Sequence, residues 1–249
     1  MVLDFGKLNA GTVAIQTDPR KIFTTLRRDP RFKRPHDEQS DVLDAWHERR
    51  SAKDLTIKMN TGGGKTVVGL LCLQSSLNEN VKPAVYVAPD PFLVKQVLKE
   101  AESLGIAATS DEVSPEFLAG QSILVVNVHK LFNARSVFGV GERKIPIGCI
   151  VIDDAHACLG VVHDQFSIRS EAGSPVYDGL LKLFEEDLRN QSATGLLDVQ
   201  ASDPSIVMTV PFWAWQAKQQ QVIELLHANR KSGDLEWSWS LLRDCVPLC

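Results

Sequence analysis

The sequence predicts an α/β fold: a mostly parallel sheet with helices on both faces, plus a helical C-terminal extension. Short apolar runs recur at Leu55–Met59, Ala84–Ala88, Ile123–Val126 and Cys149–Ile152. Longer stretches with helical periodicity lie between them, and several of the runs are apolar throughout rather than alternating. That rhythm belongs to a parallel sheet covered on both sides. After about residue 161 it changes, and helical patterns dominate.

The 249 residues suffice for one large domain or a domain with an appendage. Hydrophobic residues at 44% and charged residues at 23% are ordinary for a globular protein. A net charge of −4 argues against a surface that binds polyanions everywhere, although local basic strips survive an acidic average. The five cysteines form no C-x-x-C pair and read as reduced thiols of a cytoplasmic protein. There is no basic start followed by a long apolar stretch, and no apolar run approaches the about 20 residues of a membrane span. The reading is a soluble, cytoplasmic protein with no membrane partner.

Residues 1–36 are charge-rich and read as an irregular N-terminal arm. From Asp37, Val42, Leu43 and Trp46 fall on one helical face. Leu55–Met59 reads as the first strand and Lys65–Leu77 as its helix. Ala84–Ala88 is the second strand, and Pro91–Leu104 the second helix, with Pro91 suited to a first helical turn. Ile123–Val126 is the third strand, followed by a short helical piece at His129–Asn133. The loop at 134–148 is punctuated by Gly139, Gly141 and Gly148. Cys149–Ile152 reads as a fourth, buried strand. Pro175–Arg189 and Phe212–Asn229 each read as one long helix, with a possible strand at Ser205–Val210. The expected divisions are an arm at 1–36, a core at 37–160 and a mostly helical extension at 161–249.

Two segments carry chemistry. Met59-Asn60-Thr61-Gly62-Gly63-Gly64-Lys65-Thr66 lies between a strand-like run and a helix. Three glycines let the backbone turn tightly, so that successive N–H groups point at phosphate oxygens, and the helix start adds its partial positive charge. Lys65 is then placed for the β- and γ-phosphates of ATP, and the Thr66 hydroxyl for Mg²⁺. The second segment, Asp153-Asp154-Ala155-His156, follows the fourth run. Carboxylates there emerge at the carboxyl edge of the sheet, where open α/β sheets bind ligands. Asp153 suits Mg²⁺, and Asp154 suits polarising a water that attacks the γ-phosphate. The bland alternative is that these carboxylates cap the helix beginning near Ala155.

Together these segments resemble the first, N-terminal RecA-like ATP-binding lobe of superfamily 2 helicases of the DEAD/DEAH-box-like kind. Met59 stands where the general phosphate loop has Gly, as in the helicase variant. Asp154 stands where Glu is typical and is one methylene shorter. The resemblance runs in order over residues 35–156. It implies a P-loop NTPase fold and ATP with Mg²⁺ as ligands. His156 would couple nucleotide state to a neighbouring lobe, and Gln39 would read adenine. Val87-Ala88-Pro89-Asp90-Pro91 with Gln96, and Val126-Asn127-Val128-His129-Lys130-Leu131, resemble motifs that meet a nucleic-acid backbone. Pro89, Gln96, His129 and Lys130 are the weakest of these candidates, and the backbone N–H groups and helix starts of both motifs would hold phosphates.

Such motors close ATP between two lobes, and the second supplies arginines. No Gln-x-x-Gly-Arg-x-x-Arg pattern follows His156. A second RecA-like lobe is therefore expected beyond Cys249 or in trans, with DNA or RNA as partner. Ser192-Ala193-Thr194 spells the coupling motif of these motors, but a polar helical run precedes it, so it reads as a loop. Trp213, Trp215, Trp237 and Trp239 read as packing of an inserted helical element, or as a face that meets the missing part, rather than as base-stacking platforms. Two rivals stay open: a P-loop ATPase acting as a switch or remodeller, and a non-catalytic nucleotide-binding module.

Overall fold

The computed structural model describes residues 15–110, 113–139, 144–233 and 235–248. The first 14 residues of the expected arm, Gly141, Cys249 and the Trp237 side chain lie outside these. In chain order, α1 (Pro19–Thr25), α2 (Asp37–Arg49) and α3 (Lys65–Asn78) precede β1 (Ala84–Ala88) and α4 (Pro91–Leu104). Next come β2 (Ala108–Thr109), α5 (Pro115–Ala119), β3 (Ile123–Asn127), α6 (Val128–Leu131), β4 (Cys149–Ile152) and α7 (Ala155–Gln165). The rest is helical: α8 (Pro175–Leu183), α9 (Glu185–Gln191), α10 (Ala193–Gln200), α11 (Phe212–Ala217), α12 (Gln219–Ala228) and α13 (Leu235–Leu242), then a 3-10 turn at Val246–Leu248. The chain divides into two units, Met1–Val128 with Pro146–Cys158 and His129–Ile145 with Leu159–Cys249. Among the described residues no helix is long and apolar enough to cross a membrane.

The first unit is built on a four-stranded sheet, order β2-β3-β1-β4, with every pairing parallel. Ala84, Tyr86, Ala88, Ile123 and Val125 share a core with the apolar residues of α3 and α4. Val85, Val87, Leu124 and Val126, which point the other way, are buried as well. Burial on both faces is why these runs lack alternation. The helix α4 starts where Pro91 occupies the first turn and the Asp90 carboxylate accepts from the N–H groups of Phe92 and Leu93, at 2.8 and 2.9 Å.

Three expectations are corrected in this unit. Leu55–Met59 forms no strand: only Met59 is buried, and Leu55 and Ile57 are exposed. A strand exists only where a ladder partner takes its N–H and C=O groups, and among the described residues β4 is hydrogen-bonded to β1 alone. For the same reason β4 is an edge strand rather than a buried one, with Ile150 and Ile152 about two-fifths exposed, at 42% and 41%. The N-terminal region is not irregular throughout. Asp18 caps α1, whose Ile22 and Phe23 are buried in the core, and Asn78 of α3 donates to the Gln16 carbonyl at 2.7 Å.

Within α3, Gly69 faces the sheet. A Cβ there would come within 2.9 Å of Tyr86 Cε2 and 3.1 Å of Val151 Cγ1. Alanine at this position gains about 1 kcal/mol of helix propensity. Forcing a methyl against a ring held in the core costs about 1–3 kcal/mol. Gly69→Ala is expected to lose on the order of 1 kcal/mol in urea unfolding; unchanged or raised stability would show that the ring yields freely.

The second unit has its own core of Val176, Phe184, Leu188, Leu196, Ala214, Val222, Leu226, Leu235 and Val246. Both long helices expected here are broken, one at Phe184 between α8 and α9 and one at Lys218 between α11 and α12. The breaks interlock. Lys218 Nζ donates to the Leu183 carbonyl at 2.8 Å and pairs with Asp187 at 2.6 Å, while Phe184 stacks on Trp215 with centroids 5.7 Å apart. Trp215 also donates to the Val246 carbonyl at 3.0 Å, and Trp239 meets the His227 ring edge-on. These two tryptophans are packing residues, whereas Trp213 is exposed. Ser205–Val210 is not a strand. Ser192-Ala193-Thr194 is not a loop: Ser192 caps α10, its hydroxyl accepting from the Gly195 N–H at 3.0 Å.

Candidate nucleotide-binding site

The loop before α3 turns through two glycines in the left-handed region, Gly62 at φ +83° and Gly64 at φ +76°. Side chains are strained there, so glycine is what permits the turn. No atom lies within 4 Å of where a Cβ on Gly62 would point, which leaves room for a ligand. The Gly63 N–H turns inward and donates to the Asn60 carbonyl at 3.1 Å. Gly64 is the N-cap of α3, and no side chain caps that start. The leading N–H groups of a 14-residue helix, with the positive end of its dipole, are thus without a side-chain acceptor. Thr61 and Lys65 are exposed and Thr66 is half-buried at the same place.

Gln39 reaches this loop from α2, 4% exposed. Its Oε1 accepts from the His36 N–H at 2.9 Å and its Nε2 donates to the Gly64 carbonyl at 3.3 Å. The Gln39 amide, expected to read adenine, has each of its polar ends on backbone here, one of them on the glycine loop.

Asp153 follows the last residue of β4, its N–H donating to the Val87 carbonyl at 2.9 Å and so prolonging the ladder by one bond. One carboxylate oxygen, Oδ1, accepts from the Asp154 N–H at 3.0 Å. The other, Oδ2, accepts from the Tyr86 hydroxyl at 2.9 Å. Burial first, then the charge of Asp153, holds the Tyr86 phenol well above its ordinary range, while Thr66 acts in the opposite sense as a hydrogen-bonding neighbour. The Cys158 thiol donates to the Asp153 carbonyl at 3.2 Å; burial, then the charges of Asp153 and Asp154, pushes that thiol up to about 11.

Asp154 is exposed and adopts φ +44°. Its Oδ1 accepts from the Ala157 N–H at 3.4 Å, and its carbonyl accepts from the Cys158 N–H at 3.1 Å. The capping alternative therefore describes part of what Asp154 does. His156 is exposed in the first turn of α7.

Gln39 touches the glycine loop at Gly64, directly before Lys65 and Thr66, and Asp153 bonds Tyr86, whose ring lies against Gly69 of the same helix. The backbone candidates are placed differently. Pro89 is half-buried and Gln96 exposed, but the start of α4 already holds the Asp90 carboxylate on two of its N–H groups. A carboxylate in that position repels phosphate, so this helix start is not an open anion site. His129 and Lys130 are exposed on α6 and fall in the second unit. The sequence reading missed Tyr86. Its signal was a lone hydroxyl-bearing residue inside the apolar run Ala84–Ala88, with a glycine mid-helix at 69 to clear its ring.

The donors present suit ATP–Mg²⁺. Among the described residues no three His, Cys, Asp or Glu cluster to hold a metal. One carboxylate, one hydroxyl and phosphate oxygens form the usual setting for Mg²⁺, whereas Zn²⁺ or Ca²⁺ takes a fuller protein cage. A family described as type III restriction enzyme, res subunit, matches residues 32–167, more than half of the chain. No curated protein and no solved structure shows a significant match. The chain therefore belongs to the type III restriction enzyme res-subunit family, a family of helicase-like, ATP-dependent nucleic-acid enzymes with a superfamily 2 RecA fold.

Proposed function

We propose that the chain is the ATP-binding lobe of a DEAD/DEAH-box-like helicase or translocase, with ATP hydrolysis coupled to movement on DNA or RNA. The lobe occupies about residues 37–160, residues 161–249 are an extension, and a second RecA-like lobe completes the cleft in cis or in trans. The observation that carries this reading is the uncapped start of α3, set behind two left-handed glycines, with Lys65 exposed at its first residue.

In this reading the α3 N–H groups and Lys65 hold the phosphates, and Thr66 and Asp153 hold Mg²⁺, which supplies charge neutralisation at the β- and γ-oxygens when bound. Asp154 orients the attacking water, and His156 senses the second lobe. A non-catalytic nucleotide-binding module is the second reading. It is favoured by one observation, the engagement of Asp154 with the start of α7.

The test is ATP turnover by the protein together with its second lobe, with and without single- or double-stranded DNA and RNA. Stimulation of about 10-fold or more by one nucleic acid is expected, because assembly of the arginines is worth roughly 10³–10⁵ in turnover. Turnover indifferent to nucleic acid points to a switch or remodelling ATPase, and tight nucleotide binding without turnover points to the module.

A further inference from the structure

Resting on the nucleotide-site reading above, we propose that Tyr86 is a positioning residue for the metal site. Its hydroxyl holds the Asp153 carboxylate in the orientation that receives Mg²⁺.

The sheet itself sets up this arrangement. Tyr86 pairs with Val151 in the parallel register of β1 and β4, so the two side chains share a face. Asp153 lies two residues beyond Val151, which returns its side chain to that same face. A phenol is long enough to reach from its own position to the next one on that face, and the bond to Oδ2 is 2.9 Å.

Three features show that the placement is specific. First, the Asp153 carboxylate is held at both oxygens, by Tyr86 at Oδ2 and by the Asp154 N–H at Oδ1, so its plane has little freedom to turn. Second, Gly69 gives up a side chain in the middle of α3 where the Tyr86 ring needs the space. Third, Gly69 is three residues after Thr66 on the same helix, so the ring that packs on one lies under the other. Tyr86 is 1% exposed, and a phenol so buried is stable only with a partner for its hydroxyl. The partner it has is the carboxylate expected to hold the metal. Partners of this outer kind are typically worth 10–100-fold in metal affinity.

The experiment uses the 249-residue chain with ADP and Mn²⁺ as probes. Tyr86→Phe keeps the ring and removes the hydroxyl. Its affinity for ADP in EDTA should match the parent. Its affinity for Mn²⁺ at saturating ADP, read by the Mn²⁺ paramagnetic resonance signal, should fall about 10–100-fold. Equal Mn²⁺ affinity in the two proteins would overturn the proposal. A parent that binds no ADP would instead overturn the nucleotide-site reading, so the two failures are distinct. A second measurement needs no variant. The chain has two tyrosines, Tyr86 and Tyr177, so protein labelled with ¹³C at tyrosine Cζ gives two signals. Adding Mg²⁺ to the ADP-loaded parent should shift one of them. If neither moves, the Tyr86 hydroxyl is not coupled to the metal site and the inference is wrong, whether or not Tyr86→Phe folds.

Discussion

Lys65→Ala is expected to raise the dissociation constant for ATP by about 100-fold or more, with no measurable change in unfolding temperature. An ammonium directed at two phosphates makes charge-assisted bonds worth about 1.5–3 kcal/mol each, and every 1.4 kcal/mol is tenfold in affinity. The loop does not compensate, because it offers backbone N–H groups and no second cation: it runs Asn60-Thr61-Gly62-Gly63-Gly64 before Lys65. The fold, conversely, has little stake in Lys65. Its side chain is exposed at the first residue of α3, and surface substitutions away from caps and cores usually fall within about 0.5 kcal/mol. Calorimetry of parent and variant against ATP–Mg²⁺ decides the matter. Equal affinity would remove the phosphate loop from the site and the proposed function with it.

The second large effect is at Asp154. Asp154→Asn is expected to lower turnover by roughly 10²–10⁴-fold while ATP affinity stays within about twofold of the parent. The backbone makes this a clean substitution. Asp154 sits at φ +44°, a region in which Asp and Asn are enriched among non-glycine residues. Asparagine also keeps an oxygen for the Ala157 N–H. What it loses is the negative charge that polarises water. Asp154→Glu is the less informative change. It restores the residue typical of the helicase box, but places a longer side chain on a left-handed backbone and loosens the contact to Ala157, at a cost of about 1 kcal/mol. Steady-state turnover and calorimetric affinity, measured side by side on Asp154→Asn in the protein with its second lobe, separate the two roles. Parental turnover would leave Asp154 as a helix cap alone.

Most of the first unit was legible in the chain because its signals are local. The apolar runs at Ala84–Ala88 and Ile123–Val126 have no polar face to misplace, so burial on both sides follows from composition. The glycine turn before α3 is legible for the same reason, since three consecutive glycines before Lys-Thr describe a backbone conformation directly, and Gly62 and Gly64 adopt it. Pro91 after Asp90 names a helix start at the right residue. These features depend on neighbours within a few positions, and those are visible in the sequence.

What escaped the sequence depends on partners far along the chain. Leu55–Met59 has the composition of a strand, but a strand is a pairing and among the described residues the ladder ends at β4. The apolar periodicity of Pro175–Arg189 and Phe212–Asn229 runs through Phe184 and Lys218 without a breaker. The breaks come from the stacking of Phe184 on Trp215 and from the Lys218 ammonium reaching Leu183 and Asp187. Gln39 was read from the sequence as an adenine reader, and its contact with the Gly64 carbonyl, 25 residues away, is one that the sequence does not show. Tyr86 was invisible for the same reason. Its hydroxyl lies 67 residues from Asp153 in sequence and one hydrogen bond away in space, because a parallel sheet brings the ends of separate strands to one edge. Local geometry follows from residue type and spacing, whereas the orientation of a carboxylate follows from whichever distant donor the topology sets beside it.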